Sequence, residues 1–224
     1  MKEFEGAVYP TVSDIRGMLK AKYQAKQFDA SGNISLYGVS FIADEGWILR
    51  KPNQDYIRRE IDWYLKQSLS IEDMEAPVPA IWKQIASDHN EINSNYGYLV
   101  FSDKNGNQYS HVLDTLRRNA DSRKGTMVYI RPSIHKDWNR DGMSDFICTL
   151  GVTYFITGGK LNCNVQMRSN DLVYGYNNDW TWQRWVMGRL VHDLGYAVTP
   201  GEIIWSCVNA HVYPRHFHLF DEIV

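Results

Sequence analysis

Cys148 and Arg168 are the two residues whose types and spacing most directly suggest chemistry. Cys148 precedes Val152-Thr-Tyr-Phe-Ile156, a run β-branched and aromatic enough to form a buried strand. Gly158-Gly159 is a strong turn signal. From Lys160 to Arg168 the chain alternates, with Leu161, Cys163, Val165 and Met167 on one face and Asn162, Asn164, Gln166 and Arg168 on the other. A hairpin closed at the two glycines brings Cys148 and Arg168 to its open end. A guanidinium beside a thiol lowers the thiol's pKa and makes a thiolate nucleophile. The residue types alone leave inert alternatives open, with Cys148 a core cysteine and Arg168 a solvated strand end.

The elements that must position this pair follow from periodicity. Ser169-Asn170-Asp171 is expected to leave the sheet. Tyr174 to Asp179 leads into a long helix buried along Trp182, Trp185, Val186 and Leu190 and stopped by Gly195. Asp179 opens that helix, where an aspartate is a common N-cap. Upstream, Ser13-Asp14 can cap a helix with Ile15, Met18, Leu19, Lys22 and Tyr23 on one face, and a turn at Asp29 to Asn33 precedes a strand from Ile34 to Ile42. Asn53 opens a helix with the stripe Tyr56, Ile57, Ile61, Tyr64 and Leu65. Glu60 lies at the edge of the stripe, where the plain reading is a surface carboxylate paired with Arg59 or Lys66. Pro79 starts a short helix carrying Trp82. Asn95-Tyr96-Gly97 precedes a strand at 98–101, and Ser110 to Arg118 is helical. Asp121-Ser122-Arg123-Lys124 is a charged turn before a strand at 126–130. A last core strand, 201–206, leads to His211 and Tyr213, which alternate and so share a side.

At 224 residues the chain suits one domain, 1–224, with a large core. A net charge of −2 gives no reason to expect nucleic acid or an anionic membrane as partner. Any phosphate must therefore be met by a local cluster of cations. Cys148, Cys163 and Cys207 lack metal-ligand spacing, so no metal site is expected and a reducing cytoplasm is. No apolar run approaches the ~20 residues that span a bilayer.

The run Cys148, Gly159-Lys-Leu-Asn-Cys163, Gln166-Met-Arg168-Ser169-Asn-Asp171 and Gly175 resembles the thymidylate synthase family. In that family a nucleophilic cysteine is followed by a hairpin ending in a Gln-Arg-Ser-x-Asp signature. Where thymidylate synthases carry an asparagine that contacts uracil, this chain has Asp179. That residue is similar to the one in the family's bacteriophage deoxycytidylate hydroxymethylase branch, which acts on cytosine. Asn95-Tyr-Gly97, Asp121-Ser-Arg123 and Met143-Ser-Asp-Phe146 fit the same branch, and the resemblance covers Phe41 to Phe217. Thr149 stands in place of a family histidine and Ile147 in place of a proline. The turn at 29–33 lacks the family's phosphate-binding arginine, with Lys26 the nearest cation. The sequence ends at Val224, short of the tail that closes over folate in other members.

The resemblance implies an α/β single domain with a large mixed twisted sheet flanked by helices, and a homodimer. It assigns Cys148 as nucleophile, Glu60 as general acid/base and Asp179 as the residue that reads the base. Arg168, Ser169, Asn170, His211 and Tyr213 would bind the nucleotide, the last two at the sugar hydroxyl. Arg123 and Lys124 would reach the phosphate of the partner subunit's nucleotide, and Lys124 lacks the bidentate fork of the family's second arginine. Trp82, Tyr96 and Asp171 would wall the site or bind folate. The implied reaction transfers a one-carbon unit from methylene-tetrahydrofolate to carbon 5 of dCMP and adds water, giving 5-hydroxymethyl-dCMP. An enzyme of the same fold acting on dUMP, and an inactive nucleotide binder, are the alternatives.

Overall fold

The computed structural model describes residues 1–195 and 198–222; Val224, where the expected missing tail would begin, lies outside them. The chain divides into two compact units, Met1–Pro52 with Tyr154–Val224, and Asn53–Thr153. In chain order the first unit begins with strands β1 (Lys2–Phe4) and β2 (Ala7–Tyr9), helix α1 (Val12–Gln24) and strand β3 (Ile34–Ile42). The second unit carries α2 (Gln54–Leu65), α3 (Ala80–Ile85), α4 (Tyr96–Phe101), α5 (Gln108–Arg118), β4 (Thr126–Val128) and α6 (Ile134–Asp137). Strand β5 (Thr149–Thr157) crosses between the units, and β6 (Lys160–Asp171), α7 (Gly175–Leu194), β7 (Thr199–Val212) and α8 (Leu219–Glu222) complete the first.

The five-stranded sheet has the order β3-β7-β6-β5-β4. It is mixed, because β7 runs antiparallel to β3 and parallel to β6 while β4 is antiparallel to β5. The β5–β6 turn is the glycine pair read from sequence, at φ 54° and 71°. Two successive positive φ values are what a two-residue hairpin loop requires, and glycine adopts them without a Cβ penalty. The alternation along β6 holds, with Leu161, Cys163, Val165 and Met167 all buried. Two details differ from expectation. Asn162 is buried as well, at a register shift between Leu161 and Cys163 where its Oδ1 accepts the Glu202 amide at 2.8 Å. Ser169-Asn170-Asp171 does not leave the sheet: Ser169, Asn170 and Asp171 pair with Asn209, Ala210 and His211 of β7.

In the first unit the segment after β3 is tied down from two sides. Arg16 of α1 forms a bidentate pair with Glu45 at 2.8 Å and donates to the carbonyls of Trp47 and Ile48. From α7, Tyr176 Oη donates to Glu45 O, Trp180 Nε1 to Ala43 O and Asn177 Nδ2 to Arg50 O. Helix α1 is capped by Thr11, not Ser13: Thr11 and Asp14 form a reciprocal capping box, worth about 1 kcal/mol. Val12, Ile15 and Leu19 are its buried face, and Met18 points outward.

In the second unit Asn53 caps α2 as expected, accepting the Tyr56 amide at 3.1 Å. The buried face is rotated from the predicted stripe and runs through Ile57, Glu60, Trp63 and Tyr64, with Leu65 exposed. The stretch 98–101, read as a strand, is helical. Asn95 caps α4 by accepting the Tyr98 amide at 2.8 Å. Gly97 lies so close to α2 that a Cβ there would fall 1.8 Å from Tyr64 O.

Candidate active site

The Asn53–Thr153 unit holds the nucleophile and acid/base candidates. Cys148 stands immediately before β5, half-buried, with Sγ 3.9 Å from Phe146 O. The segment leading to it is fixed by Asp145, which is buried and accepts the amides of Asn93 and Ser94 and the Ser94 hydroxyl, each at 2.7 Å. On its other side Thr149 is fully buried and donates Oγ1 to Tyr96 Oη at 2.9 Å. Tyr96 is therefore bound to the residue after the nucleophile, and its ring packs edge-on to Tyr129. All three cysteines are free. Cys163 and Cys207 are sealed in the sheet, and burial pushes the Cys163 thiol up to about 12. Thiolate chemistry needs access as well as ionisation, and Cys148 alone of the three retains access.

Glu60 is not a surface carboxylate. It is 3% exposed, and burial raises its pKa to about 7 against the opposing pull of Tyr56 and Trp82. The cations that would have paired with it are engaged elsewhere. Arg59 binds Asp55 at 3.0 Å and the carbonyls of Glu75 and Pro77, and Lys66 Nζ donates to Asp73 O. Tyr56, one turn earlier on α2, donates its hydroxyl to Glu60 Oε1 and accepts Trp82 Nε1 at 3.0 Å. Sequence reading treated Tyr56 only as part of the stripe, although its spacing of four from Glu60 was a usable signal. A carboxyl with a pKa near neutrality can both accept and deliver a proton at physiological pH.

Arg123 and Lys124 are exposed and line a cavity of about 400 Å³ with Arg118, Asp121 and Ser122. Neither makes an ion pair among the described residues, which leaves both charges available to an anion.

The other unit carries the expected nucleotide-binding residues. Arg168 and Ser169 are half-buried on β6, and Asp171 accepts the Val173 amide at 2.9 Å. Asn170 is 3% exposed; its Nδ2 donates to Asp179 Oδ2 at 2.8 Å, while its Oδ1 is buried without a partner. Asp179 does not open the helix. Helix α7 starts at Gly175, so Asp179 lies in its second turn and its carboxylate is met by Asn170. His211 is buried, with Nδ1 3.4 Å from Asn209 O and Nε2 lacking a partner. Its ring packs edge-on to Tyr213 at 4.8 Å. Buried polar atoms normally find partners, so Asn170 Oδ1 and His211 Nε2 mark places where a polar ligand gains hydrogen bonds. Cys148 and Arg168 fall in different units.

The first unit also holds a cavity of about 840 Å³ that the sequence did not announce. Its lining combines Arg16, Lys20, Arg50 and Lys51 with Trp47 and Leu49. Among the described residues no group of three or more His, Cys, Asp or Glu side chains is arranged to hold a metal, and no helix is long and apolar enough to cross a membrane.

Comparison with known proteins gives a consistent result. The thymidylate synthase family model matches residues 48–224, a span that includes residues of both units. Three curated relatives, each named deoxycytidylate 5-hydroxymethyltransferase, come from Enterobacteria phages T4, T2 and T6. Each is 46% identical over 220 residues, covering 94% of this chain and 89% of its own length.

Proposed function

Because the chain belongs to the thymidylate synthase family, we propose that it is a deoxycytidylate hydroxymethyltransferase, converting dCMP to 5-hydroxymethyl-dCMP. The observation that carries this choice is Asp179, which lies in the second turn of α7 and whose carboxylate accepts from the buried Asn170. Cytosine presents an acceptor at ring nitrogen 3 and a donor at its exocyclic amine. One carboxyl oxygen shares a proton with the ring nitrogen, and the other accepts from the amine. Uracil reverses both positions, and a site built on such buried contacts can reject the wrong base by ~10⁴.

Carbon 5 of cytosine is too weakly nucleophilic to take up a one-carbon unit unaided. Addition of the Cys148 thiolate at carbon 6 converts the ring to an enamine and makes carbon 5 reactive. Arg168 contributes to phosphate binding. Methylene-tetrahydrofolate supplies the one-carbon unit when bound. Trp82, whose indole is half-buried and donates to Tyr56, would wall the place of such a ligand. Once carbon 5 carries the new carbon, loss of the carbon-5 proton with departure of the folate amine as tetrahydrofolate would leave an exocyclic methylene group. Water adds there, Glu60 accepts the water's proton, and the thiolate departs. His211 and Tyr213 bond the sugar hydroxyl, and Ser169 and Asn170 complete the nucleotide contacts. Arg123 and Lys124 serve the partner subunit's phosphate in a homodimer, while Tyr96 and Asp171 wall the site. The whole of 1–224 acts as one catalytic domain.

The test is product analysis with dCMP and dUMP offered side by side with methylene-tetrahydrofolate. Hydroxymethyl-dCMP without dihydrofolate is the expected result. Reductive methylation of dUMP would overturn the assignment. Tritium release from carbon 5 of labelled dCMP, abolished in Cys148→Ser, separates catalysis from mere binding.

A further inference from the structure

We propose that Tyr56 is a positioning residue for Glu60: its hydroxyl, held by the Trp82 indole, grips Oε1 and confines the proton that Glu60 gains and gives up to Oε2. The polarity of the chain follows from what each group can do. An indole N–H only donates, so at 3.0 Å Tyr56 Oη is the acceptor there. The single phenolic proton is then directed at Glu60 Oε1. An Oε1 that already receives a proton from Tyr56 has no need of its own, which leaves Oε2 as the titrating atom. The frame is rigid: Tyr56 and Glu60 are one turn apart on α2, and Trp82 packs edge-on to the buried Trp63 at 5.4 Å.

The surroundings leave few competitors. On α2, Arg59 is turned to Asp55 and two carbonyls. From α3 comes Lys83, which is exposed, and from α4 comes Tyr96, whose oxygen receives the Thr149 hydroxyl. No cation pairs with Glu60 among the described residues. Tyr56 and Trp82 are the two groups that work against burial to keep Glu60 ionisable near neutrality.

The inference rests on the proposed function only in taking Glu60 as the group that moves protons, and the test separates the two. Tyr56→Phe removes one oxygen and keeps the ring. In steady-state assays of hydroxymethyl-dCMP formation, the pH limb belonging to Glu60, identified by its loss in Glu60→Gln, should move upward by about one unit in the variant. The KM for dCMP should stay unchanged, and kcat should recover at high pH. An active wild type whose limb superimposes on that of Tyr56→Phe overturns the role of Tyr56. If the wild type makes no product, the proposed function fails, and the carboxyl of Glu60 is titrated directly by difference infrared spectroscopy. The same upward shift in the variant then supports the inference, and an unmoved midpoint overturns it. If Tyr56→Phe does not fold, a fluorotyrosine at position 56 keeps the ring and hydroxyl but strengthens the donor, so the limb should move downward; an unmoved limb overturns the role of Tyr56.

Discussion

Replacing Glu60 with glutamine should stabilise the folded chain at pH 8 while lowering activity sharply without abolishing it. The folded-state pKa of Glu60 is about 7, above the ordinary 4.5. Below pH 4.5 both folded and unfolded chains hold the proton, and Glu60 costs nothing through ionisation. Between 4.5 and 7 the unfolded chain releases the proton first, so stability falls as pH rises. Above 7 the full penalty, about 3 kcal/mol, is present. Denaturant unfolding of Glu60→Gln and wild type should therefore diverge from pH 4.5 upward and level off above 7; parallel curves would contradict the buried acid. At the base-reading position, Asp179→Asn should lower the ratio of kcat/KM for dCMP over dUMP by roughly 10²-fold or more. Competition assays with both nucleotides check this.

At the scale of elements, the close approach of α4 to α2 makes Gly97 irreplaceable. A methyl group there meets the backbone of Tyr64, which cannot rotate away as a side chain does. Gly97→Ala should cost about 3 kcal/mol or more and lower the thermal midpoint, with Glu60 losing its setting on the same helix pair. The α4 segment also marks where sequence reading met its limit. Tyr98-Leu-Val-Phe101 is a short apolar run that periodicity cannot divide between strand and helix. Asn95, three residues before Tyr98, was the overlooked cap. Helix α7 was legible from its tryptophans, but its first turn at Gly175 lacks a side-chain cap, so the start was read at Asp179. The β5–β6 hairpin was legible because two consecutive glycines allow few other geometries. The cavity beneath α1 was not legible, because its cations come from segments far apart in sequence that meet only once Arg16 has gathered the 45–48 backbone.

For the whole molecule, assembly is the open dimension. If Arg123 and Lys124 serve a partner subunit's nucleotide, Arg123→Ala and Cys148→Ser should each be nearly inactive alone. Mixed after unfolding and refolding together, they should regain about a quarter of wild-type activity, since half the dimers are hybrids with one intact site of two. A mixture as inactive as its components would place Arg123 elsewhere. The distribution of the three thiols has a practical outcome of its own. With Cys163 and Cys207 shut inside the sheet and Cys148 within reach of solvent, an alkylating reagent counts competent molecules directly, one label for each chain. The rate at which nucleotide slows that labelling becomes a readout of occupancy that needs no folate and no turnover.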